Sequence, residues 1–240
     1  MKLPALPRIP HLPQLQKWWY MYGAIVIVIV LFIFLYFFLF YKLPSPYSLK
    51  NYKTIPISTH LYDRNGKLLY EVFKEENRTP ITFNKLPKYV WEATVAIEDK
   101  DFFRHKGISI FSGLLRIAKE AVLNHSVQGG STLTQQLMKS ALLSPERTLQ
   151  RKAREIVLAL WTEQIFSKNE ILEMYLNQVP YGGSSYGIEE ASKTYFGKNA
   201  SQLTLAEAAL LAGLPQSPSR YSPFTNPELA INRRNDVLDL

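Results

Sequence analysis

A chain of 240 residues without cysteine excludes disulfide staples and thiolate chemistry, and has room for a membrane anchor plus one domain of ordinary size. Its formal net charge of +8 is unevenly spread: no Asp or Glu precedes Asp63, whereas Lys2, Arg8, Lys17, Lys42, Lys50 and Lys53 all do. Beyond that point acidic and basic residues nearly cancel, which disfavours a nucleic-acid binder and assigns the basic excess to the membrane end.

Residues 1–17 hold Pro4, Pro7, Pro10 and Pro13 among basic residues, a tail too short and broken to fold alone. Residues 18–42 are predicted to be a transmembrane helix. Trp18, Trp19 and Tyr20 make an interfacial belt, and 23–40 is almost wholly Ile, Val, Leu and Phe. About 20 such residues cross a bilayer as a helix. A cleaved signal peptide has a shorter apolar core and a small-residue cleavage site. A short tail before a long remainder favours a cytoplasmic N-terminus and an external domain, although Lys42, Lys50 and Lys53 balance the N-terminal cations.

Pro44 and Pro46 open a linker and small β-region over 43–84. Within it 57–62 and 68–73 alternate as strands around Asn65-Gly66, a hairpin signal, and 79–83 is a candidate third strand. The main domain is expected over 85–240. It begins with a helix over 86–97, Pro87 in its first turn and Val90, Ala93, Thr94 and Ile97 on one face. That helix delivers Glu98 and Asp99 to its C-terminal end, beside Ile97, Phe102 and Phe103. The helix dipole and apolar neighbours disfavour negative charge there, the environment of a general base working near neutral pH. The plain alternative is an exposed acidic turn.

The stretch 108–123 is amphipathic, with Ile110, Phe111, Leu114, Leu115, Ala118 and Val122 on one side, and fits either a core helix or one lying in the membrane surface. Gly129-Gly130-Ser131-Thr132 then feeds a helix that Ser131 or Thr132 can cap and whose N–H groups form an anion site. Lys139 falls one turn after Gln135 and Gln136, facing the same way. Ser144-Pro145-Glu146 starts the next helix, with Leu149, Ala153, Ile156 and Leu160 as its core stripe. Arg147, Arg151, Arg154 and Glu155 lie opposite, and that row continues into Leu158 and Ile165. A helix that lines a cleft and then enters the core has this pattern; structural ion pairing is the alternative. Ser167–Glu170 and Thr204–Glu207 are capping boxes, each opening a helix. The first of these helices puts Ile171, Leu172, Tyr175 and Leu176 inward and ends at Asn177. Helices over 187–196 and 227–240 make the domain mainly α.

Five separated segments resemble one family: Glu98-Asp-x-x-Phe-x-x-His-x-Gly107, Gly130-Ser-Thr-x-Thr-Gln-Gln136, Arg151-Lys-x-x-Glu155, Lys168-x-x-Ile-Leu-x-x-Tyr-Leu-Asn177 and Arg233-Arg-x-x-Val-Leu238. In order and spacing they are similar to the peptidoglycan glycosyltransferases, glycosyltransferase family 51. These are the N-terminal modules of class A penicillin-binding proteins and the monofunctional transglycosylases. The resemblance implies a mainly α, lysozyme-like fold with a small β-hairpin region and a membrane-facing jaw, preceded here by one transmembrane helix. It also implies an inverting transferase that polymerises lipid II and the growing lipid-linked strand at the outer face of the cell membrane, working beside cell-wall or division proteins. Glu98 then matches the base, and Glu155 a second essential carboxylate. Ser131, Thr132, Gln136, Lys139, Arg147, Lys152, Arg154 and Asn177 match positions that hold substrate. The family often has Lys where this chain has Arg154, which keeps the charge and alters the geometry. No tightly bound cofactor is implied, beyond a divalent cation, Mg or Mn, with Glu155 and Asp99 as its candidate ligands.

Breaking a sugar–diphosphate bond requires cations where phosphate charge develops and a base opposite them, which is what the residues offer without the resemblance. A lysozyme-like glycan cleaver uses one Glu but no row of diphosphate-binding cations. A membrane scaffold needs neither. No Ser-x-x-Lys or Lys-Thr-Gly occurs, so a penicillin-binding transpeptidase site is not expected within these residues. The hairpin near Asp63 favours a class A protein whose second domain lies beyond this chain.

Overall fold

Two units divide the chain, Met1–Leu43 and Pro44–Leu240. The computed structural model describes residues 13–54, 59–62, 64, 68–72, 77–109, 130–146 and 148–240. Among the described residues the first unit holds one helix, α1 (Pro13–Phe40), so helix already begins inside the segment expected to be a tail. Within it Trp18–Phe40 is long and apolar enough to cross a membrane, 23 residues of mean hydropathy 3.1. At 1.5 Å per residue they reach roughly 34 Å, matching a hydrocarbon core of about 30 Å.

The second unit begins earlier than expected. A 3₁₀ segment, Pro46–Thr54, packs on two helices of the domain, burying Leu49 and setting Lys50 over the Phe166 ring at 5.4 Å. Residues 43–84 are thus only partly a linker. The hairpin is present as β1 (Thr59–Tyr62) and β2 (Leu68–Val72), antiparallel with Thr59 opposite Val72 and an irregularity at Leu61/Tyr62. The expected third strand is corrected. It is β3 (Asn77–Arg78), and it pairs in parallel with β5 (Ser185–Tyr186), itself antiparallel to β4 (Pro180–Gly182). Residue 83, the expected end of that strand, instead opens a 3₁₀ turn, Phe83–Lys85.

Among the described residues the α-helices that follow are α2 (Lys88–Glu98), α3 (Leu133–Ala141), α4 (Leu149–Ile165), α5 (Lys168–Gln178), α6 (Ile188–Phe196), α7 (Leu205–Ala212) and α8 (Pro227–Leu238). On α2, Val90, Ala93, Thr94 and Ile97 are buried as their spacing demands, and Pro87 is the N-cap. Ala93 and Ile97 meet Ala209, Ala212 and Val237 in one core cluster, so α2, α7 and α8 pack together. Small residues at that meeting point bring the backbones close. Both capping boxes form, Ser167 with Glu170 and Thr204 with Glu207, and each fixes where a helix starts. Ile171, Leu172, Tyr175 and Leu176 are fully buried on α5.

Two readings of α4 are overturned. Its cap is Thr148, whose side chain accepts from Arg151 N–H at 3.1 Å, in place of Ser144. Its buried face is Glu155, Leu158, Ala159 and Thr162, whereas Leu149 is 89% exposed and Leu160 is also exposed. The charged row therefore runs into the core, while the expected core stripe is exposed at both ends and half-buried at Ala153 and Ile156. Glu155 is tolerated there because Arg151 and Lys152, one turn back on α4, answer its charge. The stretch 108–123 lies, apart from its first two residues, outside the described residues, and so does Arg147.

Candidate active site

α2 ends on Glu98, and the turn after it is braced by α3. Both Asp99 carboxylate oxygens lie 2.9 Å from His105 Nε2, and Oδ2 also accepts the Leu133 backbone N–H at 3.0 Å. Gly107 N–H donates to His105 Nδ1 at 3.2 Å, so a neutral imidazole carries its proton on Nε2, toward Asp99. Thr132 Oγ1 donates to the Gly107 carbonyl at 2.7 Å and accepts from Gln135 N–H. Gly107 has a φ of +85°, and a Cβ there would stand 2.9 Å from the Ala159 carbonyl oxygen of α4. Asp99 thus places an internal anion at the first residue of α3, where the helix dipole favours it. The anion site expected for a ligand is filled in part by the protein's own carboxylate.

This bracing aims Glu98 at Gln136. Gln136 Nε2 donates to Glu98 Oε2 at 2.7 Å, and the Tyr175 hydroxyl donates to Gln136 Oε1 at 3.1 Å. Burial, and then the negative charge of Glu98, hold the Tyr175 hydroxyl far above its ordinary acidity range, so it stays a donor. Burial and Glu98 do the same to Tyr181. From α8, Arg233 brings Nη2 to 4.0 Å from Glu98 Oε1, both side chains buried.

A second charged group lies along α4. Glu155, 2% exposed, faces Arg151 Nη1 at 3.4 Å and pairs with Lys152 Nζ, which also donates to Ser131 Oγ at 2.9 Å. Ser131 precedes α3 and Gln136 lies one turn inside it, so α3 is shared by both groups. Lys139 is exposed three residues beyond Gln136, on the same face; Arg154 is half-buried on α4. Gln135, expected beside them, instead turns back to accept the Thr132 N–H at 2.9 Å, closing a capping box.

Two expected substrate-binding side chains are taken up by the fold. Thr132 is the buried N-cap of α3. Asn177 accepts from Ile81 N–H and donates to the Ile81 and Glu173 carbonyls, each at 2.8 Å, joining α5 to the segment before α2. Asp99 and Glu155 do not fit as cation ligands either. The first is occupied by His105 and Leu133, the second by two cations, and among the described residues no three His, Cys, Asp or Glu side chains converge. Arg233 was missed as a site residue. Its signal was available: Ala230, Arg233 and Val237 are spaced as one buried face, so a charge stands in the core stripe.

A protein-family model described as transglycosylase matches residues 65–240. The chain belongs to the transglycosylase family. Glycosyl transfer in peptidoglycan synthesis is the activity class that goes with this domain. Penicillin-binding protein 1A of Aquifex aeolicus is 44% identical over 82% of this chain and 27% of its own length. The Escherichia coli protein of that name is 41% identical over 82% of this chain and 23% of its own. The chain thus spans about a quarter of the length of these relatives. A solved structure of penicillin-binding protein 1A from Haemophilus influenzae is 26% identical, covering 77% of this chain and 17% of its own, with a TM-score of 0.39, too partial a superposition to define the fold.

Proposed function

We propose that this transglycosylase domain polymerises lipid II, transferring the growing glycan from undecaprenyl diphosphate to the hydroxyl of an acceptor sugar with inversion. The observation that carries the reading is the buried Glu98 carboxylate, held by Gln136 on the same helix whose start is tied to Lys152. Glu98 takes the proton from the acceptor hydroxyl as its oxygen attacks the donor's anomeric carbon. The bond to the diphosphate breaks, and the departing charge is met by Lys139, Arg147, Lys152 and Arg154. Glu155 spaces and orients the cations of α4, being paired with two of them. Ser131 presents Lys152 to the same anion. Chelation of the assay tests whether Mg or Mn takes part.

The Trp18–Phe40 helix keeps the domain at the outer membrane face, N-terminus in the cytoplasm, where substrate and enzyme share one surface. Partners beyond substrate and membrane would be other cell-wall or division proteins. Labelled lipid II resolved on a gel is the test. Wild type should give glycan polymer, and Glu98→Gln should give none while remaining folded. Turnover by Glu98→Gln, or cleavage of preformed glycan without polymerisation, would reject the reading in favour of another base or a hydrolase.

A further inference from the structure

We propose that Arg233 is a positioning residue for Glu98, holding that carboxylate ionised and aimed from the oxygen that Gln136 does not hold. This rests on Glu98 being the base. A buried guanidinium is costly unless a charge answers it, and Glu98 lies 4.0 Å away. At that separation the pair is ionic without being a hydrogen bond. Arg233 therefore biases the charge of Glu98 through space, without itself hydrogen-bonding to that oxygen.

The fold makes room for this arrangement. A Cβ at residue 213 would come within 2.7 Å of Arg233 Cγ, so Gly213, just past α7, lets the Arg233 stem pass. The Tyr221 ring lies under the guanidinium at 5.5 Å. Ala230 and Val237 bury the flanking turns of α8. Gln136 from α3 is neutral; Tyr175 from α5 and Tyr181 from β4 are held protonated by burial. Asp99, next in the chain, is occupied by His105 and Leu133. Arg233 from α8 brings a buried positive charge to 4.0 Å.

The experiment compares wild type, Arg233→Lys and Arg233→Met in the full chain, measuring lipid II polymerisation across pH. Arg233→Met, which keeps most of the stem volume, should lower kcat at least tenfold with KM within about threefold. Losing the cation makes protonation of Glu98 easier, so the acid limb of the kcat profile should move up by about one pH unit. Arg233→Lys should return that limb to its wild-type position. Equal losses in both variants with an unmoved limb, or an effect on KM alone, overturn the proposal in favour of simple packing. Thermal midpoints of Glu98→Gln, Arg233→Met and the double variant provide a readout without turnover: non-additive shifts are expected, and additive ones also overturn it. An inactive wild type would sink the lipid II reading while this cycle still tested the pairing.

Discussion

Gln136 and Glu98 meet through a single hydrogen bond of 2.7 Å whose direction is set by a third residue. The amide of Gln136 has one donor end and one acceptor end. The Tyr175 hydroxyl claims the acceptor at 3.1 Å, which leaves the donor for Glu98. Tyr175→Phe removes that choice while keeping the buried ring. Polymerisation should fall roughly five- to tenfold, about the 1 kcal/mol of one net hydrogen bond, with little change in fold. Initial rates beside a circular-dichroism melt check it. An unchanged rate would mean Gln136 is oriented by something else.

Asp99 binds two donors, the His105 ring and the Leu133 N–H. An amide in its place turns one acceptor oxygen into a donor facing another donor. Asp99→Asn should therefore cost about 2–3 kcal/mol of stability and disturb the turn that carries Glu98. Urea unfolding measures the first effect and the polymerisation rate the second.

Glu155 separates stability from chemistry. Glu155→Gln leaves Arg151 and Lys152 without their carboxylate, and Lys152 is 43% exposed, so water screens part of the loss. The expected cost is about 1–2 kcal/mol. Adding Lys152→Met should recover stability, because the repulsion goes, but not polymerisation, because a phosphate-facing cation goes too. Recovery of both would make the pair purely structural.

Gly107→Ala should be severe. The added Cβ meets the Ala159 carbonyl at 2.9 Å in a backbone of φ +85° that only glycine adopts without strain. A loss of about 2 kcal/mol or more is expected in urea unfolding, since neither backbone is a flexible side-chain end that can step aside. A neutral substitution would show that the turn is not held against α4.

The capping boxes predict an acid limb of stability. The Ser167 backbone N–H, then its hydroxyl, lower the Glu170 pKa below its ordinary value. For Glu207 burial works the other way, but Lys198 and Thr204 outweigh it, and its pKa is lowered too. A depressed folded pKa means the contribution is present above the ordinary carboxylate range and is lost as pH falls through the folded value. Urea midpoints between pH 7 and pH 3 should drop less steeply in Glu170→Gln and Glu207→Gln than in wild type.

Features built from neighbours in the chain were legible before any coordinates. The apolar span, the hairpin and both capping boxes are of this kind, because donor, acceptor and apolar partner lie within a few residues and the local backbone alone brings them together. Tertiary structure decided what periodicity leaves open. On α4 two stripes could be buried, and the one containing Glu155 went inside, on the side where Lys152 reaches across to Ser131 at the start of α3. Asn177 and Ile81 lie 96 residues apart, and only packing could reveal that the amide is taken up by backbone. The same holds for Glu98. Its place at the end of a helix is local, but its grip by Gln136 and Arg233 depends on α3 and α8 packing beside α2, a long-range arrangement that no spacing along the chain encodes.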